Sequence, residues 1–140
     1  MLDLILQAFD YMNARIDPPS SALRMTPASI AADAAKGTLL LAERDADLVG
    51  CVFCTPQDDV LYVGKLAVRP GLQGQGIGKQ LMAAAEAEAR AQAFAFMELG
   101  TRVELTENLA TFAKLGFVKH ADFTHDGYDR PTSVTLRKRL

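Results

Sequence analysis

The feature that most constrains this chain is a run of alternating glycines, Gln73-Gly74-Gln75-Gly76-Ile77-Gly78, with Lys79 behind it. It stands between an apolar stretch, Val60–Val68, that reads as a strand and an Ala-rich stretch, Ile77 to Arg90, that reads as a helix. Three glycines leave the loop without Cβ atoms, so its backbone N–H groups can converge on one point. That point is also a helix N-terminus, which carries roughly half a positive charge. Together they make an anion site, and the expected anion is a phosphate or pyrophosphate. A plain turn would not need these glycines, which weaken the start of the helix.

Two nucleotide loops are excluded by spacing. In the dinucleotide fingerprint G-x-G-x-x-G, counted from Gly74 and Gly76, the third glycine would fall at Lys79. In the Walker A loop G-x-x-x-x-G-K-[ST], position 73 would have to be Gly and position 80 Ser or Thr, but both are Gln. What remains is Q-x-x-G-x-G, with Gln73, Gly76 and Gly78 at the fixed places. This run resembles the acetyl-CoA pyrophosphate loop of the GNAT superfamily of N-acetyltransferases. Lys65-Leu66-Ala67-Val68-Arg69-Pro70 is similar to that family's fourth strand and its exit. Asn108-x-x-x-Phe112-x-x-x-Gly116-Phe117 resembles its last helix and the strand after it. The resemblance covers roughly Thr38 to Leu140.

Elsewhere the pattern supplies the elements. Leu2, Ile5, Leu6, Phe9, Met12 and Ile16 recur at helical steps, so one amphipathic helix is expected up to Ile16, ended by Pro18. Thr26 as N-cap and Pro27 in the first turn start a second helix that Gly37 stops. Thr38–Arg44 and Leu48–Thr55 form a hairpin around Asp45-Ala46-Asp47. Pro56–Asp59 is the next turn, before Val60–Val68. Phe94–Leu99 follows a helix and should lie parallel to the preceding strand. Leu105, Leu109, Phe112 and Leu115 share a helical face that Gly116 closes, and Phe117–Thr124 and Thr132–Arg137 are the last strands. The expected fold is α/β (α+β), one domain over residues 1–140. Its mixed, largely antiparallel central sheet is flanked by about four helices. The resemblance implies a strand before the first helix, and this sequence starts directly at the helix, so the sheet is expected either to lack that edge strand or to have its edge covered by something else.

The net charge of −2 argues against a broad nucleic-acid face. Met1–Phe9 lacks a basic region before its apolar residues, and no run approaches membrane-spanning length, so no membrane partner is expected and the cytoplasm is the expected compartment. Cys51 and Cys54 form a C-x-x-C, but on a strand positions three apart face opposite ways. Two reduced core cysteines are expected, and no metal.

The resemblance implies transfer of an acetyl group from acetyl-CoA to an amine by direct attack in a ternary complex. It places the pyrophosphate on Gln73, Gly74, Gln75, Gly76, Ile77, Gly78 and Lys79. The pantetheine arm would lie along Leu66, Ala67 and Val68, between two parallel strands that splay to admit it, with Asn108 and Phe112 beside it. A backbone N–H at Leu66 or Val68 would meet the developing oxyanion. A lysine-like amine, with a pKa of about 10.4, is neutral in only about one molecule in ~10³ at pH 7, so a proton acceptor matters. Glu98, His125 and Asp126 are candidates, with His125 best matched by its ordinary pKa. Where many family members carry Tyr to protonate the thiolate, this chain has Phe112. Tyr128 and Tyr62 are the alternative hydroxyls, and protonation by solvent is a third route. Asp17, Ser20, Ser21, Arg24 and Arg130 offer polar handles for the acceptor.

The expectation is therefore an acetyl-CoA-dependent N-acetyltransferase acting on a primary amine, small-molecule in preference to peptide. Two alternatives stand beside it: an acyl-CoA-binding regulatory module without turnover, motivated by Phe112, and a protein N-terminal or lysine acetyltransferase. A homodimer stays open.

Overall fold

A computed structural model describes residues 1–140. Its helices are α1 (Leu2–Phe9), α2 (Pro27–Ala35), α3 (Ile77–Ala91) and α4 (Thr106–Lys114). Its strands are β1 (Thr38–Arg44), β2 (Asp47–Gln57), β3 (Val60–Val68), β4 (Phe96–Arg102), β5 (Val118–Phe123) and β6 (Ser133–Arg139). They form one six-stranded sheet in the order β1-β2-β3-β4-β6-β5. Only β3 and β4 run parallel, as a strand–helix–strand crossover requires. The outer edge of β1 pairs with no further strand of residues 1–140. No helix is long and apolar enough to cross a membrane.

The parallel pairing is brief. Val60, Leu61 and Tyr62 face Phe96, Met97 and Glu98, and there the register ends. Beyond Tyr62, β3 keeps β2 on one side and has no strand on the other. Meanwhile β4 continues to Arg102 against β6. The two strands therefore diverge as a wedge that opens toward the glycine loop.

Each sheet face has its own core. On one face Val52, Cys54, Leu61 and Val63 meet Ile77, Leu81, Ala85 and Ala89 of α3, with Leu109 and Phe112 of α4 packed alongside. On the other, Cys51, Phe53 and Ala67 meet Leu4, Ile5 and Ala8 of α1 and Ile30 of α2. A Cβ on Gly50 would lie 2.9 Å from Leu81 Cδ1 and 3.1 Å from Ile77 Cγ2, so glycine there lets α3 approach the sheet closely. The two cysteines belong to different cores, as strand alternation dictates. Burial pushes each thiol up to about 11, so both stay protonated and inert.

Several boundaries differ from the pattern. The first helix ends at Phe9 and tightens into a 3₁₀ turn at Asp10–Met12. Asp10 and Asn13 favour turns over helix interior. Ile16 is buried all the same, but from the loop that follows. A second 3₁₀ turn, Ser21–Arg24, starts at a Ser20 side chain that accepts from the Ala22 amide. The α2 start is as expected: Thr26 and Ser29 cap each other's amides, with Pro27 in the first turn. Strand β2 runs through Pro56 and Gln57, so the turn is only Asp58-Asp59. Strand β4 begins at Phe96, not Phe94, because the α3 terminus uses Ala93 and Phe94. Ala93 takes φ of 60°, its amide donates to Arg90 O, and the Phe94 amide donates to Ala89 O.

Candidate active site

The glycine loop is built to leave its amides free. None of the backbone N–H groups from Gln73 to Lys79 donates to an acceptor in the chain; the first intrahelical bond of α3 runs from Gln80 to Gly76 O. Gly74 and Gly76 have φ of 81° and 85°, where other residues are strained, and a Cβ on either would meet only open space. Gly76 is the N-cap of α3, and Ile77, 5% exposed, anchors the helix start in the core. Gln75 accepts a bond of 2.8 Å from Arg44 at the β1 terminus, while Gln73 and Lys79 are exposed. Unbonded amides, open space and a helix N-terminus together are the elements of an anion site.

The open edge of β3 begins where the loop ends. Leu66 and Val68 are half-buried toward the α3 side, and Ala67 is buried toward α1. Between Tyr62 and Leu66 the strand bulges: Lys65 takes φ of 52° and the pairing to β2 skips a residue. At the root of the wedge, the Tyr62 hydroxyl reaches Gly100 of β4, only 3.2 Å from where a Cβ would stand. Burial, and then the charge of Glu98, raise the Tyr62 phenol above its usual pKa. The Phe112 ring lies half-buried on α4, edge-on to Phe117 at 6.0 Å. Asn108 lies in the first turn of α4, whose N-cap, Leu105, makes no side-chain cap bond. A cavity of about 180 Å³ lies between α3 and the end of α4, walled by Lys79, Met82, Ala83, Leu115 and Phe117.

Across the open mouth of the wedge, beyond the end of β4, a loop, residues 13–26, is strapped down from several elements. Arg15 donates to the Glu107 carboxylate and to Glu104 O. Arg102, at the end of β4, donates to Pro18 O at 2.7 Å and Pro19 O at 3.1 Å. The Asp17 amide donates to Glu104 Oε2 at 3.1 Å, and Lys65 Nζ donates to Ser21 Oγ. The Tyr128 hydroxyl donates to Asp17, which also lies 3.8 Å from Arg130. That bond to Asp17 raises the Tyr128 phenol above its usual pKa.

His125 sits on the same hairpin. Its amide donates to Thr132 Oγ1 at 3.0 Å, and its Nδ1 meets the same oxygen. The Thr132 hydroxyl donates its one proton to Phe123 O at 3.2 Å. The Nδ1 therefore carries the hydrogen, by assignment from the network, and Nε2 keeps its lone pair. Partial burial and then the charge of Arg102 lower the imidazole below its ordinary pKa, so it is neutral at pH 7. Of the other proton acceptors named from sequence, Glu98 is tied to Arg137 at 2.8 Å and Asp126 is exposed.

The structure thus brings Leu66, Ala67, Val68 and the loop Gln73–Lys79 to one side of the wedge's open mouth. It brings His125, Tyr128, Asp17, Ser21 and Arg24 to the other. Sequence reasoning missed Lys65, Arg102 and Glu104. Glu104 Oε1 is buried without a hydrogen-bond partner, an acceptor waiting for a donor. The only sequence signal for Lys65 was a charge inside an apolar strand.

Known proteins share this fold. The profile of the Acetyltransferase (GNAT) family matches residues 5–117. Mycothiol acetyltransferase from Sanguibacter keddieii is 36% identical over 108 residues, covering 69% of this chain and 34% of the relative. The chain therefore spans about a third of the length of that curated relative. A GNAT family acetyltransferase from Elizabethkingia anophelis, solved with acetyl-CoA bound, matches with a TM-score of 0.74 at 25% identity over 99% of this chain and 89% of that one. A GNAT family acetyltransferase from Staphylococcus aureus Mu50 shares the fold with a TM-score of 0.78 at 17% identity, over 99% and 90% of the two chains. Glycine loop, diverging strands and family profile agree: this chain belongs to the acetyltransferase (GNAT) family.

Proposed function

We propose that this protein transfers an acetyl group from acetyl-CoA to a primary amine by direct attack in a ternary complex. The observation that carries the reading is the row of unbonded amides from Gln73 to Lys79 beside the open edge of β3. The loop amides hold the pyrophosphate, and the free edge at Leu66–Val68 lines the pantetheine arm, with Asn108 and Phe112 across from it. Acetyl-CoA, once bound, supplies the reactive thioester. A backbone N–H at Leu66 or Val68 meets the charge that develops on the acetyl oxygen; losing such a donor typically costs ~10²–10³ in rate.

The step balances simply. A bond forms between amine nitrogen and acetyl carbon, the carbon–sulfur bond breaks, the nitrogen loses one proton and the sulfur gains one. His125 Nε2 takes the first proton. For the second, the Tyr128 proton is already committed to Asp17. Tyr62 is the hydroxyl at the root of the wedge, and we assign the role to it. Tyr128 shapes the acceptor end.

Phe112, which has no proton to give, favours a second reading, an acyl-CoA-binding module without turnover. Thiol release from acetyl-CoA across a panel of free amines and peptides separates them. Release with free amines is the expected result. Tight CoA binding with no release for any amine overturns the enzyme reading, and release with peptides alone moves the acceptor to protein.

A further inference from the structure

The acceptor end holds a charge imbalance that its own residues do not relieve. Three cations meet there. Arg24 closes the Ser21–Arg24 turn, exposed and bonded to nothing in the chain. Lys65 rises half-buried from the β3 bulge, and its partner is a neutral hydroxyl on that same turn. Arg102 gives its guanidinium to two backbone carbonyls of the same loop. None of the chain's ion pairs engages any of the three.

The nearby carboxylates are occupied elsewhere, except for one oxygen of Glu104. Asp33 acts on Lys65 from α2 but pairs with Lys36 at 3.6 Å. Asp17 and Glu104 act on Arg102, yet Asp17 is held by Tyr128 and Arg130, and Glu104 gives one oxygen to the Asp17 amide, which leaves its buried Oε1 as one unpartnered acceptor against three cations. Burial, together with the charges of Arg102 and Arg24, holds the Lys65 ammonium below the usual lysine value. Gathering like charges in partial burial is unfavourable without a counter-ion. In a chain of net charge −2, it is not a by-product of general basicity.

We propose that the acceptor amine carries an anionic group, a carboxylate or a phosphate, that seats on Arg24 and Lys65 with Arg102 behind them. This deepens the acetyl-transfer reading and rests on it. It also addresses the hardest requirement of that reaction. The cations that hold the anion repel an ammonium, so they favour the neutral amine that must attack. They disfavour a purely cationic acceptor in the same way.

The test pairs acceptors that differ in that group, glycine against glycinamide and O-phosphoethanolamine against ethanolamine, with rates expressed per neutral amine because the anion also raises the amine pKa. Thiol release with acetyl-CoA should favour the anionic member of at least one pair by about tenfold or more in kcat/KM, the scale of a charge-assisted hydrogen bond. The pair that shows the preference tells carboxylate from phosphate. Arg24→Gln alters an exposed, unpartnered side chain, so folding is undisturbed. It should bring the preference below about threefold while CoA affinity by calorimetry stays unchanged. Lys65→Met should act in the same direction. Equal turnover of both members, or a preference that survives both variants, overturns the inference and leaves acetyl transfer standing. A calorimetric titration of N-acetylglycine against N-acetylglycinamide on the CoA-loaded protein reads the site without turnover. With no thiol released from any amine, tighter binding of N-acetylglycine still supports an anion site, and equal binding of the two removes it.

Discussion

The two sides of the wedge's open mouth are made of different material. The glycine-loop end is main chain: amides of Gln73–Lys79, a helix terminus and a strand edge. The proposed acceptor end is side chain: Lys65, Arg102, Tyr128, His125 and Asp17, drawn from two strands, a loop and a hairpin far apart in sequence. A main-chain site demands backbone conformations that only certain residues adopt, so it marks the sequence locally. A side-chain site needs only that residues meet in space, so it leaves no local mark. The first should break under backbone or steric change alone. The second should give way piecemeal, with effects confined to the acceptor.

The largest effect is expected at the loop. Gly76→Glu forces a bulky anion into a position with φ of 85°, beside the proposed pyrophosphate site. The strain alone costs about 1–3 kcal/mol, and the like charge adds to it, so CoA affinity should fall by ~10²-fold or more in calorimetry. Gly78→Ala sharpens the contrast. Gly78 lies in the first turn of α3, and its added Cβ would sit 3.6 Å from Val68 Cγ2, an ordinary contact. Affinity should then stay within about threefold. Normal CoA binding by the glutamate variant would remove the anion site altogether.

Next comes the base. Replacing a positioned general base typically costs 10²–10⁴, so His125→Gln should lower kcat by ~10²-fold with CoA affinity intact. The pH profile carries the sign. Partial burial and Arg102 lower the imidazole pKa, so the neutral form persists below the ordinary value of about 6.5. The acid limb of kcat in the native enzyme should therefore lie below pH ~6.5 and vanish in the variant. A limb that survives His125→Gln assigns the proton to another group, with Glu104 the next to test.

The same contrast explains what the sequence could and could not disclose. The loop, the capped start of α2, the β1–β2 hairpin and the parallel crossover each rest on local residue chemistry, and each was readable from sequence. The end of α3 was not. It uses the bond pattern that glycine usually supports, but with Ala93 at φ of 60°, so no glycine announced it and β4 seemed to start two residues early. The α4 terminus uses the same pattern with Gly116 at φ of 98°, and there the sequence reading succeeded. The first helix was overextended because Ile16 fits the stripe yet is buried from a loop. Arg102 and Glu104 gave no signal, because their importance lies in reaching residues 17–19, more than eighty positions away.

A smaller effect separates the two tyrosines. Tyr128→Phe removes a neutral-to-charged hydrogen bond at an exposed site, so Asp17 and its loop loosen while the CoA end is untouched. The acceptor KM should rise about three- to tenfold, with kcat and CoA affinity nearly unchanged. Tyr62→Phe should do the reverse, lowering kcat about tenfold at constant acceptor KM, if it delivers the thiolate proton. Interchanged results would reverse the two assignments made for these hydroxyls.

The smallest effect is expected at Arg15 and Glu107, the surface strap between the acceptor loop and α4. The hydrogen bond from Arg15 holds the Glu107 carboxyl down to about 2, yet both side chains are well exposed and water screens the pair. A carboxyl whose pKa is depressed on folding contributes fully above its unfolded value, and that contribution fades as pH falls through the folded one. Glu107→Gln should therefore lower the melting temperature slightly at pH 7. The gap should hold down to about pH 5 and close as pH approaches 2. The acceptor KM should move by no more than about twofold. A gap that ignores pH would mean that Glu107 acts through packing rather than charge. A large rise in KM would mean that the acceptor end depends on this strap as strictly as the other end depends on its glycines.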